Sequence, residues 1–340
     1  MAKTICGFGE LLLRLSPQRH DDLIVQSNAL EINYAGAEAN LLADLSNWGH
    51  PTRFVSAFPK NPLGKKAKMF LRQHGIDTQF LRFDNGRIGS YYIEHGTSIR
   101  GTQVTYDRKE AAFTHLNLGE KEWEVLLENC SHLVASGITP ALSLQSENSM
   151  LNAIITAKKM NCKLVFDLNY RRSLWSPEQA RKAFVKILPY VHTLVGNIGS
   201  VNDVFGANIQ SNNDFNALAE ATQKAMDFVA SLGDFHTIAM TIRQQINASE
   251  NVLGGMIKKG DEICSSTAIP TQIIDRLGGG DAFAAGILHG EILNWEIQKT
   301  IDFSTAAFAL TQTLRGDILP LNEQEIFSAS ENHFKGHANR

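Results

Sequence analysis

The chain is poor in cysteine: four in 340 residues, at Cys6, Cys130, Cys162 and Cys264, with no CxxC pair among them. Scattered thiols of this kind suit a reduced, cytoplasmic protein better than a disulfide framework. No apolar run is long enough to span a bilayer, and Met1–Leu13 reads as a first strand instead of a signal peptide. An excess of charge is also lacking. Lys and Arg number 32 against 35 Asp and Glu, a formal net charge of −3, so there is no electrostatic case for nucleic acid or an anionic membrane. Internal repeats and low-complexity tracts are absent, as are a Walker A loop and the dinucleotide fingerprint. What remains, 43% hydrophobic and 20% charged, is ordinary globular composition. Any anionic ligand must therefore be held by locally placed Arg and Lys.

Short β-rich runs alternate with helical ones. Strands are expected at Ile5–Leu13, Arg53–Phe58, Phe80–Arg82, His132–Ser136, Lys163–Asp167, Thr193–Gly196, Thr237–Thr241 and Gln272–Ile274. Helices are expected at Ala37–Trp48, Gly64–His74, Glu147–Met160, Pro177–Leu188 and Asn213–Leu232. This βαβ rhythm predicts an α/β fold with a central, mostly parallel sheet covered by helices on both faces. Two stretches, Leu23–Tyr34 and Ile88–Ala112, alternate without helices between them and predict a small antiparallel sheet projecting from the body. A lid and an ordinary edge hairpin both satisfy that pattern. The expected organisation is one domain over 1–330, lid segments near 12–35 and 88–112, and a tail at 331–340.

Residues 275–283 read Asp-Arg-Leu-Gly-Gly-Gly-Asp-Ala-Phe. The apolar spacing after Asp281 (Phe283, Ile287, Leu288, Ile292) is helical, so Gly278, Gly279 and Gly280 fall at a helix N-terminus. Unpaired N–H groups and the positive dipole end make such a terminus an anion site. A carboxylate beside a bound phosphate fits if it takes a proton from the attacking group, as phosphoryl transfer requires. A glycine-rich turn with Asp281 as an ordinary first-turn residue fits the string alone equally well. Other polar residues follow strand ends, where α/β sheets bind ligands: Asp167 through Arg172, Asn197, and Thr241 to Arg243. The stretch Ala35 through Asn40 opens a helix after the lid strands.

Taken together these motifs resemble the ribokinase (phosphofructokinase-B-like) carbohydrate kinase family, from about Ile5 to Pro320. Asp275, Gly278, Gly280, Asp281 and Phe283 match its C-terminal signature. Gly36, Ala37 and Asn40, followed by Trp48-Gly49 and Asn61-Pro62-Leu63-Gly64, match the N-terminal one. Residues 9–17, Gly-Ala-Glu-Ala-Asn at 36–40, Tyr-Asp-Arg at 106–108 and Asp-Leu-Asn-Tyr-Arg at 167–171 are similar to the 2-keto-3-deoxygluconate kinases within it. The resemblance implies ATP, Mg²⁺ and a sugar acid as ligands, with Asp281 as base and Gly278 to Gly280 as anion hole. It further implies that Arg108 and Arg171 clamp the substrate carboxylate, a task suited to planar guanidinium groups. Gly36, Asn40, Tyr91 and Tyr106 are expected around the sugar, and Asn197, Thr241 and Arg243 around the nucleotide. Another sugar such as fructose, or a non-catalytic sugar-binding relative, is the alternative.

Several positions depart from the family pattern. Asn197-Ile198-Gly199-Ser200 lacks the Glu expected three residues after Asn, leaving phosphates, water, Asn197 or Asp203 to place the metal. Thr241-Ile242-Arg243 stands in place of Thr-x-Gly, and Asn61 where Asp is common. A monovalent cation such as K⁺ is expected near Asp275 and Thr313–Asp317. A homodimer joined through the exposed lid edges is expected as well, because bare strand edges invite pairing.

Overall fold

The computed structural model describes residues 3–331; Met1, Ala2 and the expected tail after Glu331 lie outside the described residues. The chain opens with β1 (Thr4–Phe8), β2 (Leu12–Pro17), β3 (Leu30–Ala35) and helix α1 (Ala37–Asn47). Next come β4 (Thr52–Val55), β5 (Ala57–Pro59), α2 (Pro62–Gln73), β6 (Arg82–Asp84), β7 (Ser90–Glu94) and β8 (Gln103–Asp107). The middle of the chain alternates as α3 (Glu120–Leu126), β9 (Cys130–Ser136), α4 (Leu144–Lys159), β10 (Lys163–Asp167), α5 (Pro177–Ile187), β11 (Val191–Gly196) and α6 (Ile198–Phe205). It closes with α7 (Phe215–Ala230), β12 (Thr237–Gln245), β13 (Glu250–Lys259), β14 (Glu262–Ser265), β15 (Ile269–Gln272), α8 (Gly279–Ile292), α9 (Ile297–Gln312) and α10 (Glu323–Glu331).

The main sheet has the order β14-β13-β12-β11-β10-β9-β1-β4, with β15 also paired to β13. It is parallel from β12 to β4, while β13, β14 and β15 add antiparallel strands at one side. Side chains alternate across each strand, and here both faces are apolar. Ile5, Val134, Val165, Val195 and Ala239 enter the core shared with Phe283 and Phe308. Their chain neighbours Cys6, Leu133, Leu164, Leu194 and Ile238 enter the opposite core, with Phe166 and Phe184. Burial on both faces is what a central parallel sheet demands.

The lid is a second sheet in the order β3-β2-β7-β8. The expected all-antiparallel lid is corrected here: β2 and β7 run parallel, between two antiparallel pairs. The single strand expected at Ile5–Leu13 is also two, β1 in the main sheet and β2 in the lid. The break at Gly9-Glu10-Leu11 has a steric cause. A Cβ on Gly9 would strike the Glu38 carboxylate, and one on Gly36 would strike the Glu10 carbonyl. The start of α1 therefore presses against this crossing, and the chain leaves one sheet for the other. Further corrections are smaller. Residues Ile24–Gln26 form a 3-10 turn and only Leu30–Ala35 is strand. The strand expected at Gln272–Ile274 lies at Ile269–Gln272, and β12 continues through Gln245, which puts Thr241 and Arg243 inside a strand. No helix among the described residues is long and apolar enough to cross a membrane.

Candidate active site

A cleft of about 590 Å³ lies between the lid and the carboxyl ends of β1, β10, β11 and β12, within the size range of small-molecule sites. Of the residues expected as base and anion hole, around the sugar and around the nucleotide, only Gly279 is off the lining, buried beneath it. Gly36, Asn40, Tyr91, Tyr106, Arg108 and Arg171 gather with Asp281, while Asn197, Thr241, Arg243, Gly278 and Gly280 continue the same wall.

The glycine turn is built as its sequence demands. Gly278 caps α8 with φ +77°, a left-handed conformation that a side chain disfavours, and a Cβ there would collide with the backbone of Asp317. The first intrahelical bond runs from Ala282 N–H to the Gly278 carbonyl at 2.9 Å. The N–H groups of the turn before it have no helical acceptor, and Gly278 and Gly280 line the cleft at the positive end of the dipole. Asp281 sits in that first turn, half-buried.

Burial pushes the Asp281 carboxyl well above the usual carboxylate range, and Asp167 and Asp317 push the same way. Asn40 Nδ2 donates to Asp281 Oδ2 at 2.7 Å and, with Arg171, opposes the rise. Asn40 is itself oriented, since its Oδ1 accepts from the Gly36 N–H at 3.2 Å. Removing this donor withdraws a bond to the ionised form. Asn40→Ala is therefore expected to raise the Asp281 pKa further and to move the acid limb of the kcat–pH profile to higher pH. An unmoved limb would contradict the link between Asn40 and the base.

Two further carboxyl groups in the cleft stand in strings quoted from the sequence but are given no role there. Glu38, in the first turn of α1, is pushed up to about 7 by burial, although Ser136 Oγ donates to it at 2.7 Å. Asp167 is pushed up to about 6 by burial, against the Asn169 backbone N–H and Arg171. Shifted carboxyl groups clustered in one cleft mark a functional site.

The arginines divide sharply. Arg108 is buried and donates from Nε at 2.9 Å and Nη2 at 2.5 Å to Glu10 Oε2, so two of its donors are already spent. Arg171 is exposed in the cleft and has no ion-pair partner among the described residues. Arg276, inside the signature yet passed over, has Nε and Nη2 buried without a hydrogen-bond partner among the described residues. Its charge stands close enough to Arg243 to act with desolvation, the larger cause, in lowering that guanidinium to about 10. Arg243 remains a cation at neutral pH, and two guanidinium groups held together at a cleft wall suit an anion between them.

Other expected contacts are already occupied by protein. The Tyr91 hydroxyl donates to Asp317 at 3.2 Å, so it does not stand free for a sugar. Tyr106 is 40% exposed and its ring packs tilted against Tyr91 at 5.8 Å, with Arg108 over its ring at 5.5 Å. Asn197 Oδ1 caps α6 by accepting from Ser200 N–H at 2.9 Å. Asp203 lies off the cleft lining, bound by Arg172 at 2.9 and 2.6 Å. No cluster of three or more His, Cys, Asp or Glu among the described residues is placed to hold a metal.

Comparison with known proteins agrees with this geometry. The 2-dehydro-3-deoxygalactonokinase of Haloferax volcanii is 31% identical over 326 residues, 96% of each chain. The crystal structure of 2-dehydro-3-deoxygluconokinase from Thermotoga maritima superposes with a TM-score of 0.90 at 31% identity, covering 97% of this chain and 99% of that one. A PfkB family carbohydrate kinase from Listeria grayi gives 0.85 at 34% identity, over 97% and 100%. The sheet, its helices and the separate lid are thus those of the ribokinase-like fold. The family model of the pfkB carbohydrate kinases matches residues 2–324, and the chain belongs to that family.

Proposed function

We propose that this carbohydrate kinase transfers the γ-phosphoryl group of ATP to the 6-hydroxyl of a 2-keto-3-deoxy sugar acid, 2-keto-3-deoxygluconate in the first instance. The observation that carries the reading is the meeting of Asp281, its pKa raised, with the free N–H groups of the glycine turn and the unpaired Arg171 in one cleft. Asp281 accepts the hydroxyl proton as the oxygen attacks. The turn's N–H groups hold the charge on the transferred group, a contribution of about 3–4 kcal/mol per donor in comparable sites. Arg171 binds the substrate carboxylate, and Arg108 completes the clamp with Nη1, the edge that Glu10 leaves free. Arg243 and Arg276 face the nucleotide phosphates.

Mg²⁺ is expected to arrive with the nucleotide and to keep phosphate and water ligands, because Asn197 and Asp203 are engaged elsewhere. The residues here fit a metal carried by its substrate and offer no preformed cage. Exposed Ile32 on the lid's open edge strand β3 supports the pairing of two lids in a homodimer.

ADP release measured across 2-keto-3-deoxygluconate, its galacto epimer and fructose tests the substrate. The keto acids are expected to exceed fructose in kcat/KM by about 10–100-fold, the worth of a charge-assisted clamp. Fructose equal to both acids would overturn the assignment. The galacto epimer belongs in the panel because the Haloferax relative carries that name. Arg171→Ala is expected to raise KM for the acid roughly tenfold or more and to leave KM for ATP nearly unchanged.

A further inference from the structure

Arg14 projects from lid strand β2 into the protein and is buried, 4% exposed, beside Asp275, which is fully buried, and Asp317. Its Nη2 donates to Asp275 Oδ2 and its Nη1 to Asp317 Oδ1. These carboxylates belong to the two segments that enclose the glycine turn. Asp275 accepts from the backbone N–H groups of Leu277 and Gly316, each at 3.2 Å, and so ties the turn to the loop before Asp317. The Asp317 carbonyl fills the space where a side chain on Gly278 would go. From the lid, the Tyr91 hydroxyl completes the Asp317 carboxylate at 3.2 Å, and His95 Nε2 lies 3.4 Å from Arg14 Nη2.

This is the place where the sequence suggested a monovalent cation. A bound K⁺ needs oxygen ligands, and the two carboxylates that would supply them are already spent on a guanidinium. The donor set does not fit the ion.

We propose that Arg14 is a positioning residue that supplies the anion turn with a covalently attached cation, so that this kinase needs no K⁺ and its turn takes its shape from the lid. Two carboxylates facing each other without a cation would repel and splay the segments around Gly278, displacing the N–H groups that hold the phosphoryl group. A fork suits the site as well as a charge: the planar guanidinium holds its donors in fixed directions towards the two carboxylates, whereas an ammonium's three donors rotate on a flexible stem. The proposal rests on the family's kinase activity and not on the identity of the sugar acid.

The first measurement is thermal unfolding of the wild-type protein in KCl, NaCl and tetramethylammonium chloride at equal ionic strength, which needs no substrate. The midpoints are expected to agree within about 1 °C, because an ion that bound the native state would raise its own. Turnover in the three salts, with whichever sugar acid proves active, is expected to agree within about twofold. Arg14→Ala is expected to lower kcat by about 100-fold, the loss seen when one oxyanion donor is removed, with both KM values changed less than about threefold. K⁺ or guanidinium ion should restore part of that kcat. Because Arg14→Ala leaves two buried carboxylates uncompensated, the same assays are run on Arg14→Ala/Asp317→Asn, which removes one of them, and on Arg14→Lys. Wild-type turnover or melting that rises with K⁺ would overturn the proposal, as would wild-type kcat in any folded protein lacking the guanidinium. Failure of every sugar acid as substrate would instead count against the proposed function, leaving the melting test intact.

Discussion

Asp281→Asn is expected to lower kcat by about 10²–10⁴-fold, the usual worth of a positioned general base, without lowering the thermal midpoint. The amide keeps the shape of the carboxylate and can still accept from Asn40, but it cannot take the hydroxyl proton. The stability half of the expectation follows from the direction of the pKa shift. Burial raises the folded-state pKa of Asp281 above its ordinary value, so the folded protein holds the proton more tightly than the unfolded chain. The protonated group's advantage is fully present below the unfolded pKa, about 3.9, and is lost as pH rises through the higher folded value. Above the unfolded pKa the buried Asp281 carboxyl is thus a burden on the fold, and the neutral amide relieves it. The gain in midpoint over wild type should grow from pH 4 towards neutrality. ADP release and calorimetry on the same preparation test both halves. Near wild-type turnover in the variant would remove Asp281 from the chemistry, whereas lost turnover together with a lower midpoint would point to a structural role.

The residues legible in the sequence were those whose function sits in a local string. Gly278 to Asp281 announce a helix start and an anion site because neighbouring residues make both, and Gly36 with Asn40 announces the facing helix. Their meeting in one cleft was legible too, since strand ends in a parallel sheet share an edge. What stayed hidden is carried by contacts between distant positions. Arg14 lies 303 residues from Asp317 and 261 from Asp275, and in the sequence it is one arginine in an alternating strand. Glu10 hides in the same way. Nothing local says that it will neutralise Arg108, which is why both arginines looked equally available for a substrate. The strand break at residues 9–11 is masked by the apolar residues on either side of it, Ile5 to Phe8 and Leu11 to Leu13, because its cause is the pressure of Glu38 from helix α1. Arg276 is hidden for a different reason: the string assigns chemistry to the glycine backbone, and only the fold reveals that two nitrogens of this arginine are buried without partners among the described residues.

Gly278→Ala should be nearly as damaging to turnover as loss of the base, and it isolates the backbone's share of the chemistry. Two independent costs meet at this position. Its φ of +77° is left-handed, which costs an L-residue about 1–2 kcal/mol, and the added methyl would run into the backbone of Asp317. Asp317 cannot step aside freely, because Arg14 and Tyr91 hold its carboxylate. The turn must therefore move, and the N–H groups of Gly279 and Gly280 move with it. Since such donors stabilise the transition state only when aimed at the developing charge, a fall in kcat of about 10²–10³-fold is expected, with a midpoint lower by about 2 °C or more. Gly280→Ala is the matching control. Gly280 is helical without a positive φ, and nothing lies within 4 Å of its missing Cβ, so that variant should fold with an unchanged midpoint while keeping its backbone donor. If Gly278→Ala melts and turns over like wild type, the left-handed cap is not what aims the turn. If both alanine variants lose turnover alike while only Gly278→Ala loses stability, crowding of the phosphate by a methyl group, and not displacement of the N–H groups, is the cause.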